Sequence, residues 1–241
     1  MAQDDFVIYD ELSGPDLDDA LWSPARLPLP TGEHVPVDPK AEVAVGEGEL
    51  RVTIPRFSIA DDSFQSADSP KYLAFSTRQW DVPADRPVTF AADMAVSNIG
   101  GEPDDYRKAM AAFHVFDMEV SSRVFAACGT STRAVALHEQ LGLGGGTGEP
   151  FYHVVESPYE DFDDDFSRVR ECEITLDRST STATWRVDGH KIYEVPGTLV
   201  PESVRIGIGI WTMLPIRDGR SQSLAGQGLE ARWSRFRVGG V

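Results

Sequence analysis

Residues 203–215 read SVRIGIGIWTMLP, and this stretch limits the chain more than any other. Read with a period of two, Ile206, Ile208 and Ile210 share one face, while Arg205, Gly207, Gly209 and Trp211 share the other. The first face belongs against a hydrophobic layer. The second is nearly bare backbone ending in a large ring. Glycine weakens a strand interior and marks a place where something approaches the backbone closely. A chain built around such a segment is a sheet protein with two unlike faces.

The remaining segments agree. Runs rich in Val, Ile, Phe, Thr and Trp alternate with clusters of Gly, Pro, Asp and Ser, which predicts about thirteen short antiparallel strands in a two-sheet sandwich or a barrel. The expected strands include 6–9, 42–45, 50–54, 72–80, 88–96, 110–120, 123–128, 133–140, 151–155, 169–176, 183–187, 191–195 and 229–238, besides the stretch above. A helical turn is expected around 17–21, and the proline-rich segment 27–40 reads as an extended surface connection. No repeat and no linker-like tract divides the chain, so 1–241 reads as one domain.

Of the residues, 41% are hydrophobic, enough for a sizeable core. The net charge of −17 repels nucleic acid and anionic membrane surfaces, so neither is an expected partner. The opening MAQDDFVIYD has no basic or apolar signal region, and Cys128 and Cys172 suit two buried thiols in a reducing compartment. The expected location is therefore the cytoplasm. Oligomeric state is not legible.

The order of several motifs resembles the concanavalin A-like lectin/glucanase superfamily. YDELSGPDLDDALW (9–22) is similar to the opening of such domains, and GEGELRVTI (46–54) resembles the hairpin that follows. ECEITLDRSTSTATWRVDGHKIYEV (171–195) resembles their late meander, and VRIGIGIWT and LEARWSRFRV their last two strands. The chain is also similar to an uncharacterised bacterial family of this fold. The resemblance implies an all-β jelly roll of two antiparallel sheets, with a cleft on the concave face of one. It also allows a structural calcium ion. Family-16-type glycoside hydrolases carry a Glu-x-Asp-x-Glu strand in that cleft. The nearest string here is VFDMEV (115–120), where Val115 stands in place of the first carboxylate and Asp117 and Glu119 match the other two. The nucleophile of a retaining mechanism is then missing.

Four residues are candidates for acid–base work. Asp117 and Glu119 are two apart on one strand and so project in parallel, about 6.6–6.8 Å apart at Cα. A shared site would raise the pKa of one of them. Glu139 or His138, in RAVALHEQL (133–141), is a candidate general base. Expected ligand contacts are Trp211, Gly207 and Gly209, Arg133 for an anionic group, Trp80 as a platform, and Tyr152 and His153 behind the glycine-rich loop 142–150. Alternatively these acids are solvated strand ends and the tryptophans are core. The five histidines (34, 114, 138, 153, 190) lack transition-metal spacing, and neither a P-loop nor a dinucleotide fingerprint is present, so no cofactor is expected.

Three functions fit. The first is an intracellular enzyme that encloses a small, partly hydrophobic molecule and isomerises, cyclises, dehydrates or hydrolyses it by acid–base chemistry. The second is a carbohydrate-binding or glycoside-cleaving domain. The third is a binding module without catalysis, whose groove the protein's own side chains would fill.

Overall fold

The structure is a computed structural model, and it describes residues 6–29, 32–62, 69–117, 120–142, 149–157 and 162–241. Its strands are β1 (Phe6–Asp10), β2 (Trp22–Pro24), β3 (Leu27–Leu29), β4 (Gly32–His34), β5 (Glu42–Gly46), β6 (Glu49–Ile54) and β7 (Ser69–Ser76). Then come β8 (Trp80–Asp81), β9 (Val88–Ile99), β10 (Met110–Asp117), β11 (Arg123–Gly129), β12 (Ala134–Gln140) and β13 (Phe151–Glu156). The last are β14 (Arg170–Asp177), β15 (Thr182–Val187), β16 (His190–Pro196), β17 (Ser203–Thr212), β18 (Ile216–Arg217), β19 (Arg220–Ser221) and β20 (Gly228–Gly239).

Sixteen of them form two eight-stranded antiparallel sheets. The first runs β16-β15-β14-β9-β20-β6-β5, with β1 beside β20; the second runs β13-β12-β11-β10-β17-β7-β2, with β8 beside β17. The expected all-β jelly-roll sandwich is the fold observed. The expected strand 72–80 divides into β7 and β8. The segment at 17–21 makes the expected single helical turn, the Asp18 carbonyl accepting the Leu21 N–H at 2.9 Å and the Trp22 N–H at 2.8 Å, and the proline-rich connection contains the small β3–β4 hairpin.

Alternation sorts the side chains. Ile206, Ile208 and Ile210 of β17, Phe113 and Val115 of β10, and Phe125 and Ala127 of β11 point between the sheets. There they meet Phe90, Met94, Ile174, Trp185, Trp233 and Phe236 from the first sheet. The two indoles that find partners do so in character: Trp22 Nε1 donates to Asp10, and Trp185 Nε1 to the Ala126 carbonyl at 3.0 Å. Cys128 and Cys172 are both buried and unbridged.

Candidate ligand site on the outer face of the second sheet

The second sheet also buries apolar residues on the face turned away from the sandwich core. Leu73, Met110, Ala112, Phe116, Val124, Ala126, Cys128, Val135, Leu137 and Trp211 form this second cluster. The strand registers lay them out in rows. One row runs Leu73, Gly209, Ala112, Cys128, Val135, Glu156. The next runs Phe75, Gly207, His114, Ala126, Leu137, Val154, and a third runs Arg205, Phe116, Val124, Glu139, Tyr152. Tyr106, Met213, Leu27 and Leu141 pack against this cluster from outside the two main sheets.

The glycine face therefore lies where expected, but the chain itself fills it. A Cβ on Gly207 would stand 2.9 Å from Phe75 Cδ1 and 3.2 Å from Phe116 Cε1. One on Gly209 would overlap Leu73 Cδ2 and lie 3.1 Å from His114 Nε2. The close approach these glycines permit is made by neighbouring side chains. Trp211 is 2% exposed and packs at 4.4 Å against the His114 ring. His114 is fully buried, and burial pushes its pKa down to about 3, so the ring is neutral. Among the described residues neither His114 Nε2 nor Trp211 Nε1 has a hydrogen-bond partner.

Open space lies at the border of this face, in a groove of about 760 Å³ lined by Asp105, Arg107, Lys108, Tyr152, Met213, Leu214, Pro215, Ile216, Arg217 and Gln222. Three parts of the chain meet here. Tyr152 stands on β13 with 57% of its surface exposed. The Met213 N–H donates to the Arg107 carbonyl at 2.7 Å and so ties the segment after β17 to the segment before β10. The Gln222 N–H closes its own loop on the Pro215 carbonyl at 2.9 Å. Arg107 and Asp105 form a two-pronged pair, Nε to Oδ1 at 2.7 Å and Nη2 to Oδ2 at 2.9 Å. That hydrogen-bonded guanidinium holds the Asp105 carboxyl below its usual range. Lys108 is engaged by Glu102 at 2.7 Å.

The candidate acids separate by face. Asp117 lies in phase with Phe113 and Val115, on the inner side of the sheet, not in the cleft. Its carboxylate accepts the Val120 N–H at 3.1 Å and both the Ser121 N–H and hydroxyl at 2.8 Å, so it holds the turn from β10 to β11. Val115, in the position of the absent first carboxylate, is core. Glu119 lies outside the described residues. Glu139 is on the outer face beside Val124 and Tyr152, whereas His138, its neighbour in sequence, points inward onto Phe125 and Trp185. Adjacent strand residues project to opposite sides, so His138 and Glu139 do not act on one group.

Trp80 is a core residue rather than a platform: it is 2% exposed, packs edge-on against Tyr9 and carries the Arg78 guanidinium at 3.7 Å. Arg133 sits 3.8 Å from Asp104 and 3.9 Å from Asp164, a setting of opposite charge. His153 is on the inner-face side of β13, exposed and 4.9 Å from Phe151, so it and Tyr152 diverge. Among the described residues no three His, Cys, Asp or Glu side chains converge in a way that holds a metal ion. The groove residues Arg107, Met213 and Gln222 escaped the sequence reading. Only the Asp-x-Arg spacing at 105–107 hints at them, and it lies in a loop without periodicity.

Two eight-stranded antiparallel sheets in this order form a jelly-roll sandwich of the concanavalin A-like lectin/glucanase type. The fold is similar to that of an endo-1,3-β-glucanase from Streptomyces sioyaensis, with a TM-score of 0.62 at 14% identity over 99% of this chain and 98% of that one. It is similar to LamAcat from Zobellia galactanivorans, with 0.59 at 11% over 99% and 98%, and to the Bacillus licheniformis β-glucanase, with 0.56 at 11% over 98% and 97%. Residues 3–240 match the model of the family of unknown function DUF6081, and the chain belongs to that family. No curated protein sequence matches it.

Proposed function

We propose that this chain engages a saccharide in the groove between Tyr152 and the Arg107–Asp105 pair. The carrying observation is that an exposed aromatic ring, Tyr152, and a fixed, planar donor–acceptor pair, Arg107 and Asp105, line one groove together with Gln222. A pyranose offers an apolar C–H face to a ring and vicinal hydroxyls to bidentate groups, so this arrangement suits it. The β-glucanases that share the fold support a glucan as the first ligand to test.

Binding is favoured over cleavage. Hydrolysis by paired carboxylates needs a separation of about 5–5.5 Å for retention or about 6.5–9.5 Å for inversion, with one partner protonated. Among the described residues the groove wall supplies one carboxylate, Asp105, and Arg107 keeps it ionised. Affinity electrophoresis through a β-1,3-glucan and a mixed β-1,3-1,4-glucan tests the reading. The chain should be retarded by at least one, and Tyr152→Ala should weaken retention by about tenfold, the scale of one lost ring contact. Equal mobility with and without every glucan contradicts it, and release of reducing ends by the wild type overturns the preference for binding.

A second reading draws on the unpartnered His114 Nε2 and Trp211 Nε1 within an apolar face. Those atoms suit a small, partly hydrophobic molecule with a polar group held over the sheet. In that case Glu139 is the acid–base residue, being the one among Asp117, Glu139 and His138 that faces the same side. Mass spectra of ligands co-purifying with the native protein separate this reading from the first.

A further inference from the structure

On the inner side of the second sheet, at the edge formed by β11, β12 and β13, several donors lack acceptors. Arg123 lies directly opposite Gln140, which lies opposite Phe151; in the next row Phe125, His138 and His153 stand side by side. All share the face of Ala127 and Ala136, which look into the core. The Arg123 guanidinium rests over the Phe151 ring at 4.7 Å, and its Nη1 is 3.5 Å from His138 Nε2. The Thr198 hydroxyl meets the same His138 nitrogen at 3.1 Å.

Three buried polar atoms here have no hydrogen-bond partner among the described residues: Arg123 Nε, Gln140 Nε2 and His138 Nδ1. Gln140 is 4% exposed and His138 2%. Burial first, then the Arg123 guanidinium and the nearby His153 ring, push the His138 pKa down to about 4, so its ring is neutral. With Nε2 facing the Arg123 donor, the proton belongs on Nδ1. All three atoms are then donors. Arg123 also has no carboxylate within ion-pair distance among the described residues. Asp117, its partner on β10, turns its oxygens to Val120 and Ser121. A half-buried cation without a counter-charge, beside orphaned donors, is costly, and such groups are ordinarily satisfied.

We propose that Arg123, Gln140 and His138 form a binding site for the carboxylate of a small organic acid. The ligand would enter at the β13 edge, where Phe151 is half-buried and His153 exposed. A carboxylate accepts only, it matches the planar guanidinium fork, and it supplies the missing charge. The aromatic walls from Phe125, Phe151 and Trp185 suit an acid with an apolar body. The site lies on the other side of the sheet from the saccharide groove and does not rest on it.

The test is a titration of the full chain with benzoate and, separately, with inorganic phosphate, followed by the ring signals of His138 and the side-chain amide of Gln140. Benzoate should shift both saturably and raise the melting temperature. Arg123→Lys, which keeps the charge but loses the fork, and Gln140→Leu should each weaken binding about tenfold or more. The Gln140 variant serves if changing Arg123 impairs folding. Saturation by phosphate with benzoate inert overturns the carboxylate assignment. If neither anion moves the His138 signals, or both variants bind benzoate as the wild type does, the site does not exist.

Discussion

Gly209 shows at the scale of one residue what a strand glycine records: a close approach, with the identity of the approaching group left open. Here Leu73 and the His114 ring fill the space that a Cβ would need. Gly209→Val should therefore lower stability by about 1–3 kcal/mol through overpacking, read as a lower denaturation midpoint at unchanged slope. A variant as stable as the wild type would mean that the face is open. The two buried imidazoles make a second prediction. The folded pKa values, about 3 for His114 and about 4 for His138, lie below the ordinary value of 6.5. Between these limits the unfolded chain holds protons that the folded chain refuses, so stability falls as pH drops from about 6.5 towards about 4. His114→Gln carries no such proton, and its stability should fall less steeply over that window in equilibrium unfolding.

At the scale of the strand, alternation was legible and phase was the harder question. The pattern 203–212 gave the right faces because four isoleucine and tryptophan positions agree on one register. In β10, AAFHVFD is apolar on both sides, since both faces are buried, so nothing in the string says which face holds Asp117. A one-residue change of phase moves every side chain to the other side. The register decides the matter, and the Asp117 carboxylate accepts hydrogen bonds from Val120 and Ser121 of the next turn. Asp117→Ala should cost about 1–3 kcal/mol in unfolding free energy, the effect of removing a charged acceptor from buried donors. It should leave retention on glucan unchanged. Loss of retention with normal stability would return Asp117 to the binding machinery. The expected helical turn at 17–21 goes no further than one turn for a local reason: the Asp18 side chain caps it on the Ala20 N–H, and Trp22 then enters β2.

The fold of the whole molecule was legible because the order of strands and turns survives when single motifs drift. The groove was not, because its walls come from 105–108, from Tyr152 and from 213–222, segments joined only by the folded sheet and by bonds such as Met213 to Arg107. Charge gave little guidance, since a total of −17 hides the Arg107, Lys108 and Arg217 side chains gathered at one border. On the central strands of the first sheet, by contrast, Asp93 and Glu171 are paired with Arg235 and Arg237. The central claim is that a saccharide sits at that border. Its most direct test is amide and side-chain shift mapping during titration with a β-1,3-gluco-oligosaccharide. Shifts concentrated at Tyr152, Arg107, Met213 and Gln222 are predicted, and shifts absent there, or confined to the first sheet, would contradict the account.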